Sequence, residues 1–174
     1  VIREVCTLLE SPKYGVQLKD TLEAFGMGPF EVKVQYPTRT LCEKIMSLVR
    51  FSFSSTPIED LQKKIRHIYD LCKLLEDKEL LDFLYSDDFE CMILNVASDD
   101  RKGYRNNQEW LSHHPKRAVI FDQTKDVWKK LEETYQKKFA LLVYGSLPSQ
   151  FEVFETLEKI RNRLEPLEWN ISKD

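Results

Sequence analysis

Apolar and polar positions recur along this chain with two periods, and the longer one assigns most of it to helices. Val1, Ile2, Val5, Leu8 and Leu9 follow helical spacing until Ser11 and Pro12 stop the run. A second helical run spans about residues 15–25, and the glycines of GMGP end it. FEVKVQY then alternates strictly, with Phe30, Val32, Val34 and Tyr36 on one face and Glu31, Lys33 and Gln35 on the other. That is the pattern of a β-strand. A lone strand leaves its backbone unpaired, so it predicts sheet partners that the chain does not supply.

From Pro37 onward the period is helical. Thr40 with Glu43, and Thr56 with Pro57 and Glu59, have the form of capping boxes that start two helices joined by FSFSST. Leu41, Ile45, Leu48 and Val49 form the apolar stripe of the first; Ile58, Leu61, Ile65, Ile68, Tyr69 and Cys72 form that of the second. KELLDFLYS and DDFECMILNVAS predict two more helices, DDRKGYRNNQ a surface loop and AVIF a short extended piece. Two longer helices follow over residues 123–143 and 149–164. The turn YGSLPSQFE between them carries a glycine stop and a Ser149 to Glu152 capping box. Their stripes, Val127, Trp128, Leu131, Tyr135, Phe139 and Leu142, then Phe151, Phe154, Leu157, Ile160 and Leu164, are expected in the core. The fold class expected is α+β and predominantly α-helical: a helical bundle with one strand.

Composition narrows the picture. The chain has 174 residues, 42% hydrophobic and 11% aromatic, which suits one packed core and excludes disorder. Its formal net charge is -3, so a nucleic acid would have to be met by a local basic patch. Cys6, Cys42, Cys72 and Cys91 form no CxxC pair and have no histidine at ligand spacing. Three of the four lie within apolar periodic segments and read as small buried residues of a reducing, cytoplasmic compartment, and the set reads neither as a zinc site nor as a disulfide frame. No apolar run reaches the roughly 18 residues of a membrane span, and no signal peptide is present. The chain begins at Val1 inside a periodic segment and reads as a piece of a longer protein.

Two charged positions interrupt the stripes. Lys44 lies at the border of the first helix's apolar face, where a stem covering the core edge is one explanation. Asp70 lies on the side of the second helix shared by Lys63 and Arg66, so an i,i+4 pair with Arg66 is one explanation. Leu71 and Leu74 extend the apolar surface past it, and an aspartate in such a place needs a partner or a role.

The motifs P-x-R-T-x-x-E-K-I, from Pro37 to Ile45, and R-H-I-Y-D-L, from Arg66 to Leu71, resemble those of the AbiEii nucleotidyltransferases, toxins of type IV toxin–antitoxin pairs. The specific match covers about residues 28–75. The W-L-x-x-H-P and L-V-Y-G-x-L-P neighbourhoods are similar in general character to the family's helical C-terminal region. The resemblance implies a nucleotidyltransferase core with a mixed sheet, a G-[GS]-[ST] turn for phosphate and a D-x-D pair for Mg²⁺. This chain holds neither motif. Residues 1–36 are therefore expected to be the end of that core, contributing its one strand, and 37–174 a helical C-terminal domain.

By the same resemblance, Lys44 contacts phosphate or orients the nucleotide, and Asp70 positions the base or the lysine; these two are the catalytic candidates. Arg39, Arg66 and His67 are the substrate-binding candidates, His67 standing where many members have aspartate. NTP is the implied substrate, Mg²⁺ the implied cofactor of the full-length protein, and tRNA or another RNA the implied acceptor. A cognate antitoxin is a possible protein partner. The chain by itself is expected to be inactive. Outside the motifs, Glu31 is a candidate third metal carboxylate, with a solvated strand face as its other reading. His113, His114, Lys116 and Arg117 of SHHPKR form a basic cluster open to RNA contact or to a plain surface role. The rival function is a helical interaction module that binds an antitoxin or another protein.

Overall fold

The computed structural model describes residues 24–26, 34–103 and 108–171. The chain divides into two units, Val1–Val34 and Gln35–Asp174, and the architecture below is that of the second. Its elements are α1 (Pro37–Ser52), α2 (Pro57–Lys63), α3 (Ile65–Leu74), α4 (Lys78–Leu84), α5 (Asp87–Gly103), α6 (Val119–Asp122), α7 (Thr124–Glu133) and α8 (Gln150–Leu164). Short 3₁₀ turns, Glu109–Ser112 and Pro115–Arg117, precede α6, and α7 continues through a π-helical stretch, Thr134–Phe139.

The described residues are all-α, with neither strand nor sheet among them, which corrects the α+β expectation. Of the alternating run, residues 30–33 lie outside the described residues; Val34, Gln35 and Tyr36 are exposed and form no strand. Alternation becomes a strand only when a neighbouring strand takes its hydrogen bonds, and the described residues offer none. AVIF is also helical, contributing to α6, and α5 runs through the first half of the expected loop as far as Gly103.

At the centre lies α1, which packs against α2, α3, α4, α5 and α6. Leu41, Cys42, Ile45, Met46, Leu48 and Val49 are all fully buried, because helices cover several sides of this one. Each such side chain contributes about 1.5–3 kcal/mol by leaving water. The helix starts at Pro37, with extended Tyr36 as its cap, and not at Thr40. A proline favours an extended residue before it and fits the first helical turn. Thr40 Oγ1 instead donates to the Tyr36 carbonyl at 3.3 Å, and Glu43 accepts from Gln35 and Arg39. The second expected helix is broken at Lys64, where φ is -107° and ψ 16°. It begins at Pro57 as expected, without a capping bond from Thr56.

The expected Ser149–Glu152 box is formed and starts α8. Gly145, with φ at 103°, makes the turn before it in a conformation that suits glycine. Trp128, Tyr135 and Phe139 are core, with Trp128 against Tyr135 at 5.1 Å and Tyr69 against Phe139 at 5.4 Å. Leu142 and Phe151, expected inside, are 80% and 75% exposed. The wider π turn offsets the residues after it from the α-helical stripe, so Leu142 leaves the buried face.

Candidate functional site

Lys44 on α1 and Asp70 on α3 meet across the packed pair of helices. Lys44 Nζ donates to Asp70 Oδ2 at 2.6 Å, and the side chains are only 20% and 15% exposed. Lys44 lies three residues after buried Leu41 and four before buried Leu48, about one helical turn from each, so its stem follows the core edge before its ammonium reaches the carboxylate. Arg66 also approaches Asp70, with Nε 3.4 Å from the same oxygen, but is 77% exposed. The i,i+4 pair with Arg66 is therefore present, and Lys44 is the closer partner.

His67 lies one residue further along α3 and lines a polar cavity of about 510 Å³ with Gln35, Thr40, Glu43, Lys44, Ser47, Arg50, Lys64 and Asp100. Burial, then the positive charges of Lys44 and Lys64, pull its imidazole down to about 4, so it is neutral at pH 7. Its Nδ1 is shielded from solvent and has no hydrogen-bond partner among the described residues. Arg39, the remaining predicted residue, is not on this wall. Its guanidinium is clamped at 2.7 Å to Asp99 of α5 and at 3.0 Å to Glu43, and those two hydrogen bonds raise its pKa. It positions Glu43, which does line the cavity.

Arg50, Lys64, Ser47 and Asp100 belong to the site without having been singled out by sequence. Asp100 had a signal available: it follows Ile93, Val96 and Ala97 at helical spacing on the buried face of α5. Burial pushes its carboxyl pKa up, while Arg50, with Nη1 at 4.0 Å, opposes the shift. Arg50 and Lys64 both approach the Phe51 ring, at 5.0 Å and 5.1 Å from its centroid.

The other candidates have different places. Glu31 lies outside the described residues. His114 is a structural link: its Nδ1 accepts from the Lys116 amide at 3.1 Å and its Nε2 is 3.0 Å from the Leu167 carbonyl. His113 stacks on Phe53 at 4.7 Å, and Lys116 reaches Glu165 at 3.6 Å. Cys42 and Cys72 are buried, with burial pushing their thiols up to about 12 and about 11.

Lys44, Lys64 and Arg50 line one polar cleft, and lysine and arginine are groups that hold phosphates and orient them. The family model described as nucleotidyl transferase AbiEii toxin, type IV TA system, matches residues 1–161. The chain belongs to the AbiEii family. No curated protein and no solved structure matches it. Nucleotidyl transfer, the family's activity, draws on an NTP and in general on a divalent metal. The carboxylates of this AbiEii site do not fit such a metal. Among the described residues no three of His, Cys, Asp and Glu converge on one point, and Asp70 and Asp99 are each bound to a cation. Among these residues, too, no helix is long and apolar enough to cross a membrane.

Proposed function

We propose that this chain is the helical C-terminal part of an AbiEii nucleotidyltransferase and supplies the phosphate-holding side of its active site. Residues 1–36 then belong with the catalytic core and 37–174 with the helical domain. The 2.6 Å contact between Lys44 and Asp70 carries the reading, since it joins the two sequence motifs in one cleft. In the reaction an acceptor hydroxyl oxygen forms a bond to the α-phosphorus of the NTP. The bond from that phosphorus to the oxygen bridging to the β-phosphate breaks, and pyrophosphate leaves. Lys44 neutralises charge on the phosphoryl oxygens; Asp70 holds the ammonium in place as a positioning residue. Arg66 and neutral His67 contact the substrate beside them. RNA, including tRNA, is the proposed acceptor. Mg²⁺ would need carboxylates other than the described ones. The chain by itself, with neither D-x-D nor G-[GS]-[ST], is expected to transfer nothing.

The test is transfer from labelled NTPs to total RNA by the complete protein, compared with folded Lys44→Ala and Asp70→Ala variants. Each is expected to lose about 10²-fold or more of the rate, the scale for removing one preorganised electrostatic group. Asp70→Glu should recover part of that. Unchanged transfer in both alanine variants would return Lys44 and Asp70 to structure alone. A second reading, a module that binds an antitoxin, is favoured by one feature: Leu141, Leu142, Tyr144 and Phe151 are 86%, 80%, 104% and 75% exposed around one turn. An antitoxin that binds the parent, and fails to bind a variant with these four made polar, would support it.

A further inference from the structure

Lys44 lines two hollows. Beyond the one shared with His67, a second, of about 280 Å³, is lined by Lys44, Arg66, Asp70, Lys73 and Leu74. Arg66, Asp70 and Lys73 stand at i, i+4 and i+7 and so share one face of α3. The lining has three cations and one carboxylate, on a chain whose net charge is -3. Whole small-molecule sites run to roughly 300–1,000 Å³, a range that the His67 side reaches and this side does not. The smaller hollow suits one charged group.

We propose that Arg66 and Lys73, with Lys44, form an anion subsite that takes a phosphate group on the far side of the Lys44–Asp70 pair. The proposal rests on the nucleotidyltransferase reading for its ligand chemistry, though Lys73 lies outside both sequence motifs. The existing contacts of these cations are exchangeable. Lys73 is held by Glu76 at 2.7 Å in an i,i+3 surface pair, and Arg66 lies 3.4 Å from Asp70. Exposed pairs of this kind are weak, whereas a charge-assisted bond from a guanidinium to phosphate oxygens is short and can be bidentate. Asp70, held by Lys44 at 2.6 Å, keeps its place when Arg66 turns to the ligand. Leu74 forms an apolar wall that lowers the local dielectric. The phosphate comes either from the polyphosphate of an NTP lying across Lys44 or from the backbone of an acceptor strand whose end reaches it.

The experiment measures binding to the complete protein by calorimetry, with three probes: sodium tripolyphosphate, a non-hydrolysable NTP, and a single-stranded RNA oligonucleotide. The parent is compared with Lys73→Gln, Arg66→Gln and, as a control away from the cleft, Lys129→Gln. Both test positions are solvent-accessible, so loss of folding is not expected, and melting curves check it. Lys73→Gln and Arg66→Gln should each weaken at least one probe about tenfold and lower its salt dependence, with Lys129→Gln unchanged. Weakened tripolyphosphate and NTP with RNA intact assigns the subsite to the nucleotide; weakened RNA with NTP intact assigns it to the acceptor. All three probes unchanged within twofold in both variants overturns the subsite. Because binding is read without turnover, that result differs from failure of the transfer assay, which bears on Lys44, Asp70 and the reaction.

Discussion

His67 remains neutral because its half-buried position penalises a charge, and because protonation would place that charge beside Lys44 and Lys64. Its imidazole takes up a proton near 6.5 when free and near 4 when folded. As pH falls, the unfolded chain therefore binds the proton first, and the folded state loses stability across that window and no further below it. The difference corresponds to at most about 3 kcal/mol. Partial contact with solvent reduces that to about 1–2 kcal/mol. Denaturant unfolding at about pH 7 and about pH 4.5 should show this loss in the parent and its absence in His67→Gln. Asp100 acts in the opposite sense, its pKa being raised, but it is common to both proteins. Equal losses in the two would show that His67 does not titrate as its surroundings require. The motif made His67 visible in the sequence; its burial and the two lysines facing it come from α1 and the Lys64 break.

Helix starts show what local sequence can and cannot settle. The Ser149 box forms at the helix start itself, where the serine hydroxyl accepts from the Glu152 amide at 3.3 Å and the serine amide donates to the Glu152 carboxylate at 2.7 Å. Thr40 has the same spacing to its glutamate, yet Pro37 starts the helix earlier and leaves Thr40 inside it. Ser149→Ala should cost about 1 kcal/mol, and Thr40→Ala less than about half of that. Thermal melts of the two variants check this: a loss of roughly 2–4 °C is expected for Ser149→Ala. Equal shifts would mean that the cap adds nothing beyond a surface contact. At this scale the apolar period located α1, α7 and α8 well, while the π stretch after α7 went unseen because tertiary packing of Tyr135 and Phe139 sets it.

Across the whole molecule, the pair of Lys44 and Asp70 couples α1, the hub of the bundle, to α3. With 20% and 15% exposure neither charge is well solvated, so removing one strands the other. Lys44→Met and Asp70→Leu should each destabilise by about 1–2 kcal/mol, and the double variant by at least about 1 kcal/mol less than their sum. Equilibrium unfolding of the four proteins measures the coupling; additivity within about 0.5 kcal/mol would show that the contact contributes nothing to stability.

The sequence by itself determined most of the helices, most of the core and the two motifs, because period, proline and capping chemistry act within a few residues. It also named Lys44, Asp70, Arg66 and His67, of which Lys44 and His67 line one hollow and Lys44, Asp70 and Arg66 the other. Only the tertiary structure decided which charges face one another. Asp70 bonds to Lys44 more closely than to its helical neighbour Arg66, Arg39 turns to Asp99 of α5, and Asp100 enters the site. Those choices follow from how α1, α3 and α5 pack, and a one-dimensional pattern carries no record of which helix faces will meet.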